Sequence, residues 1–179
     1  MIPIKDNIPT DRFPFVTAGL ILANFIVYIL AVRHGGSFIG GPDLQEVVKY
    51  GAIPFPLTHP GYHCALVQVG SNTDVSCVHH TLPNTIATWA TPFTGMFMHA
   101  SILHIAGNML FLWIFGNNIE DRAGSIRYLI FYLAAGLAAT ATFVALDPHG
   151  TVPMIGASGA IAGVMGAYLV LFPTCASAR

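Results

Sequence analysis

The sequence predicts an all-α integral membrane protein, a helical bundle with several spanning segments. Three observations carry this. Only 8% of the 179 residues are charged, seven basic and eight acidic, against about 25% in an ordinary soluble domain. Hydrophobic residues make up 54%, which excludes a disordered chain, since such chains are poor in apolar side chains and rich in charge. The apolar residues also fall into long charge-free runs, whereas a net charge of −1 with no basic block gives nucleic acid nothing to bind. The length suits one domain over residues 1–179.

The first span is read at 13–32, twenty residues without a charge, matching the ~20 needed to cross a ~30 Å hydrocarbon core. Lys5 and Arg12 precede it, as they would a signal peptide. Its apolar length exceeds the usual 7–15-residue signal core and no small-residue cleavage site follows, so a retained anchor is expected. Residues 75–119 contain no Asp, Glu, Lys or Arg. Pro83 and Pro92 break the front half, leaving a second span at about 98–119. Tyr128 opens a third span at 128–146, which ends in the turn Asp147-Pro148-His149-Gly150. A fourth is read at 152–172, stopped by Pro173. Tyr28, Tyr128, Phe131, Tyr132, Tyr168 and Phe172 suit membrane-interface positions, with packing as the alternative.

Positive charge sets an expected orientation. With the N-terminus cytoplasmic, Lys5, Arg12, Arg122, Arg127 and Arg179 lie inside, and only Arg33 and Lys49 outside. The long outer loop, 34–90, then carries five of the eight histidines together with Cys64 and Cys77. A disulfide between these cysteines suits an oxidising compartment; two inert thiols are the alternative. His63, Cys64, Cys77, His79 and His80 also form a loose zinc-like set whose spacing fits no standard finger, so no metal is expected. Cys175 stands alone near the end of span four and is read as inert.

Polar groups at membrane depth are costly and are often functional. His104 and Asn108 are four residues apart and share a helix face. His99, five before His104, lies about 140° around the helix or in the entering loop. Hydrogen bonds that hold the bundle together are the plain reading of all three. Span four opens with Gly156-Ala157-Ser158-Gly159-Ala160. A serine between glycines near a helix start offers an accessible hydroxyl beside N–H groups without intrahelical partners, the features of a nucleophile with an oxyanion hole. Close packing through the Gly159–Gly163 pair, extended by Gly166, is the plain alternative. Spans two and four run in the same direction, so His104, Asn108 and Ser158 fall at similar depth in the outer half of the membrane. Gly116, Glu120 and Gly124 follow at four-residue spacing; close helix approach and a structural Glu120, capping a loop or pairing with Arg122 or Arg127, are expected.

At these residues the chain resembles the rhomboid family of intramembrane serine proteases: His99-x4-His104-x3-Asn108, Gly116-x3-Glu120-x3-Gly124 and Gly156-Ala-Ser158-Gly159, in this order and after a long first loop. The resemblance implies a six-helix bundle, of which four spans are present, and an intramembrane serine endopeptidase that hydrolyses transmembrane protein substrates in the lipid bilayer. Ser158 would be the nucleophile. His104 and Asn108 would stabilise the oxyanion, and His99 would brace the loop into span two. Gly156, Gly159, Glu120 and Arg122 would support the site, and no metal or cofactor would be needed. A bacterial plasma membrane would be the setting. The family's general-base histidine lies on a sixth span. The sequence stops at Arg179, so no residue is assigned as the base. This stretch alone is expected to be inactive and poorly stable, with the Gly159–Gly166 face lacking the helix it packs on. The alternative is a non-catalytic rhomboid-like protein that binds transmembrane clients. A metal-binding or transport protein would need a polar through-path, and spans one and three offer only Asn24 and Thr140.

Overall fold

A computed structural model describes residues 12–69, 72–79 and 86–173. Lys5, His80, Pro83, Cys175 and Arg179 lie outside the described residues. In chain order the elements are α1 (Phe15–His34), β1 (Gly36–Ser37), β2 (Gly41–Pro42), α2 (Leu44–Tyr50), α3 (Pro54–Thr58), β3 (His63–Val69), β4 (Asn72–Val78), a 3-10 turn (Thr88–Ala90), α4 (Thr91–Gly95), α5 (Ile102–Ala123), α6 (Ser125–Leu146) and α7 (Ser158–Leu171).

Helices α1, α5 and α6, of 20, 22 and 22 residues, are long and apolar enough to cross a membrane; at 1.5 Å per residue they reach roughly 30 Å or more. Helix α1 buries Thr17, Leu20, Asn24, Tyr28 and Ala31, a three-to-four-residue stripe that defines one face. Helix α5 starts later than the expected 98. Ser101 is its N-cap and accepts from the His104 N–H at 3.2 Å, so His99 stands in the loop before the helix. Gly124, at φ 83°, makes the corner into α6, which starts at Ser125 rather than Tyr128.

The fourth expected span needs a larger correction. Only Ser158–Leu171, 14 residues, is helical. Residues 151–155 ahead of it are not helical, Pro153 having no N–H to donate, and Gly156 at φ 111° turns the chain into the helix. Met154 pairs antiparallel with Ala52, N–H to O at 2.8 and 3.0 Å, and the Gly156 N–H donates to Gly95 O at 2.8 Å.

The expectation that the glycine face of α7 lacks a partner is also corrected. A Cβ on Gly159 would meet Ala139 Cβ at 2.5 Å, and one on Gly163 would meet Ala135 Cβ at 2.5 Å. Both glycines therefore seat α7 against α6, and only Gly166 faces open space. Gly116 serves the same end between α5, α1 and α6. A Cβ there would lie 2.5 Å from Tyr128 Oη and 3.2 Å from Thr17 Oγ1.

Glu120 caps a helix rather than a loop. Its carboxylate accepts from the N–H groups of Val16 and Thr17 at 2.9 and 2.8 Å, from Thr17 Oγ1 at 2.8 Å and from Ser125 Oγ at 2.7 Å. These are first-turn donors of α1, which lack intrahelical acceptors, and the carboxylate sits at the positive end of that helix. Tyr28, Tyr128, Tyr132 and Tyr168 are buried in the bundle core, in keeping with the packing alternative. Asn24 and Thr140 donate to the carbonyls of Leu20 and Gly136 one turn back in their own helices.

The described part of the long first loop is structured. Strands β3 and β4 form an antiparallel hairpin in which Cys64 faces Cys77 directly, Cα to Cα 4.0 Å, joined by a disulfide. Both thiols are thereby consumed, which removes them from the zinc-like set. Among the described residues no three His, Cys, Asp or Glu side chains converge on one point.

Candidate active site

The site is built from two backbone features and three side chains. The Ala100 N–H donates to His104 Nδ1 at 3.3 Å. Nδ1 is therefore the accepting nitrogen, and a neutral His104 carries its proton on Nε2. Ser101 fixes the start of the helix on which this ring rides. One turn later Asn108 stands on the same face; it is buried, and its Nδ2 has no hydrogen-bond partner. A buried donor left in this state costs roughly 1–3 kcal/mol.

Both donors converge on Gly156. The position a Gly156 Cβ would occupy is 2.8 Å from His104 Nε2 and 3.7 Å from Asn108 Nδ2. A side chain there would press on the imidazole and would also need a left-handed backbone that residues other than glycine rarely adopt. Two residues later Ser158 begins α7 with its surface exposed. The N–H groups of Ser158, Gly159 and Ala160 precede the first intrahelical bond of this helix, from Ile161 N to Ala157 O at 3.0 Å. The extended segment thus delivers a serine at a helix N-terminus beside two side-chain donors.

His99 is buried. Its Nδ1 donates to Phe97 O at 3.2 Å, its Nε2 has no partner, and its ring meets that of His104 edge to face at 5.0 Å. It backs the His104 ring from the entering loop. Gly159 turns to α6, Glu120 holds α1, and Arg122 is exposed at the end of α5; these three lie in the scaffold. Residues the motif spacing does not reveal are Ala100, whose N–H sets the His104 tautomer, and Gly95 and Ala52, which hold the strand leading to Ser158. A Cβ on Gly95 would lie 2.9 Å from Met154 O. They act through backbone atoms, so side-chain chemistry gives no signal for them.

This arrangement, three apolar helices long enough to span with polar side chains gathered where α5 and the shorter α7 begin, defines a polytopic membrane protein with an internal polar site. Residues 87–177 match the Rhomboid domain, and the chain belongs to the rhomboid family. It is similar to the rhomboid protease GluP of Bacillus subtilis (strain 168), 41% identical over 81 residues that cover 45% of this chain and 15% of that protein. It also resembles RHOMBOID-like protein 1 of Arabidopsis thaliana, 32% identical over 167 residues, 88% of this chain and 39% of that one. Inactive rhomboid protein 1 of Drosophila melanogaster is 35% identical over 78 residues, 44% of this chain and 5% of its own length. The chain matches well under half the length of each of these relatives, which include a protease and an inactive member.

Proposed function

We propose that this chain carries the nucleophile and oxyanion side of an intramembrane serine endopeptidase that hydrolyses transmembrane protein substrates. The observation that carries the reading is the convergence of His104 Nε2 and Asn108 Nδ2 on Gly156, two residues ahead of Ser158. Ser158 Oγ attacks the scissile carbonyl, and the developing oxyanion takes hydrogen bonds from His104 Nε2–H, Asn108 Nδ2 and the N–H at the start of α7. Asn108 Nδ2 has no protein partner and is free to donate to that oxyanion, the differential binding that lowers a barrier.

A serine also needs a base. Among the described histidines, His104 is held by Ala100 and meets His99, His59 lies beside His149, and His34 pairs with Glu46. In this reading the base is the histidine that the family resemblance puts on a sixth span. The N-terminus is cytoplasmic, the hairpin and its disulfide lie on the outer side, and the setting is a bacterial plasma membrane. The test is cleavage of a transmembrane reporter by the full-length protein in proteoliposomes. Ser158→Ala abolishes cleavage at unchanged expression; persistence of cleavage in that variant ends the reading.

A second reading, a non-catalytic rhomboid-like protein that holds transmembrane clients, draws support from the likeness to Inactive rhomboid protein 1. It predicts client capture that Ser158→Ala leaves intact and no cleavage by the wild type.

A further inference from the structure

A second group of side chains lies outside the candidate active site, where α3 meets the α6–α7 turn. His59 is half-buried and its ring is fixed from two directions. Phe55 stacks on it at 4.2 Å and 8° between planes, and His59 Nδ1 lies 3.0 Å from Phe55 O. Thr58 Oγ1 lies 2.9 Å from the same nitrogen, so Nδ1 is engaged by the protein and Nε2 is the nitrogen left for a ligand. His149 stands beside it, ring centroids 5.1 Å apart and planes tilted 47°. His149 is held in place although its side chain is exposed. The residue before it is bonded through Thr58 Oγ1 to Pro148 O at 2.6 Å, and the residue after it through Phe55 N to Gly150 O at 3.0 Å.

We infer that His59 and His149 form a divalent transition-metal site that bridges α3 to the turn ahead of the Ser158 segment. The separation of the rings is compatible with a shared ion. A metal ~2.0–2.1 Å from a ring nitrogen stands ~3.2 Å from that ring's centroid, so two imidazoles at a tetrahedral angle have centroids ~5.2 Å apart. An imidazole whose other nitrogen donates to a backbone carbonyl is the usual state of a metal-ligating histidine, because that bond sets tautomer and ring orientation. With two protein nitrogens, water completes the coordination, and imidazole ligation selects Cu2+, Ni2+ and Zn2+ over Mg2+ and Ca2+. A bound ion would tie the first loop to the turn after α6, adding to the Thr58–Pro148 and Phe55–Gly150 bonds. This inference rests on the fold and is independent of the proposed protease activity.

The test is titration of the tag-free full-length protein in detergent with Ni2+, Zn2+ and Cu2+, read by calorimetry and, for Cu2+, by electron paramagnetic resonance. One ion per chain is expected, with two nitrogen ligands in the copper spectrum and tighter binding of Cu2+ than of Ni2+. His59→Ala and His149→Ala each weaken binding at least ~10-fold, as loss even of a group that merely orients a ligand does, and each leaves one nitrogen in the spectrum. His79→Ala, whose ring meets Tyr62 rather than this pair, changes neither readout. Exposed His149 can be replaced without touching the core, so its variant decides the matter even where His59→Ala misfolds. Undiminished affinity in His149→Ala, or a wild-type spectrum with a single nitrogen, overturns the inference.

Discussion

Gly156 backs directly onto His104: the point its Cβ would occupy lies 2.8 Å from the Nε2 nitrogen. This contact makes Gly156 a part of the donor geometry rather than a spacer before Ser158. Gly156→Ala is predicted to push the imidazole off its Ala100 bond and to strain a backbone at φ 111°. In a cleavage assay the variant should lose at least ~10²-fold, the scale of losing one oxyanion donor, while α1, α5 and α6 still insert. Activity within twofold of wild type would show that the His104 position is not used.

His104→Ala and Asn108→Ala each remove one side-chain donor. Each is expected to lower kcat by about 10²–10³-fold with little change in KM, because the bond strengthens in the transition state rather than in the bound substrate. The stability responses should differ. Asn108 Nδ2 is buried without a partner, so replacing Asn108 by a residue of similar volume and no donor, Asn108→Leu, should not lower the thermal midpoint. A marked fall would show that Asn108 is a structural polar contact.

Much of this was legible in the sequence and some of it was not. Charge-free runs located α1, α5 and α6, because membrane insertion is decided by composition over ~20 residues. The four-residue spacing of His104 and Asn108 placed them on one face, because helical periodicity is local. The glycine-flanked sequence put Ser158 near a helix start, but the non-helical run before it was not legible: apolar residues 152–157 read like helix, and the Ala52–Met154 pairing joins segments a hundred residues apart. The tyrosines stayed open between interface and packing for a related reason. An aromatic with a polar tip suits an interface and a core equally, and only the packing decides.

Glu120 is predicted to be a stability residue. Glu120→Ala strands the first-turn donors of Val16 and Thr17 and the hydroxyl of Ser125. Bonds to a charged acceptor are each worth roughly 1.5–3 kcal/mol, so the thermal midpoint in detergent should fall by several degrees. An unchanged midpoint would mean that water serves these donors equally well.

Gly163→Ala brings a methyl to 2.5 Å from Ala135 Cβ and is expected to destabilise by about 1–3 kcal/mol through overpacking. Ala135→Gly in the same chain removes the opposing methyl and should recover most of the loss, a coupling that a double-mutant cycle measures. Additive effects would place the two residues apart.

The disulfide carries a prediction about side. If the hairpin faces an oxidising compartment, protein extracted under alkylating conditions holds Cys64 and Cys77 joined, and its mass rises by two hydrogen atoms on reduction. Cys64→Ser should loosen hydrogen exchange along β3 and β4 while leaving α5 and α7 protected. Alkylated free thiols at both positions in freshly extracted protein would reverse the orientation.

The central claim is that Ser158 is a nucleophile next to a set of oxyanion donors, and covalent labelling tests it most directly. The full-length protein in detergent is treated with a fluorophosphonate, digested, and mapped by mass spectrometry. Modification of Ser158 is predicted, absent in Ser158→Ala and slowed at least ~10-fold in His104→Ala, since the phosphonyl oxygen takes the place of the oxyanion. Ser158 left unmodified under conditions that label a known serine hydrolase to completion would contradict the claim.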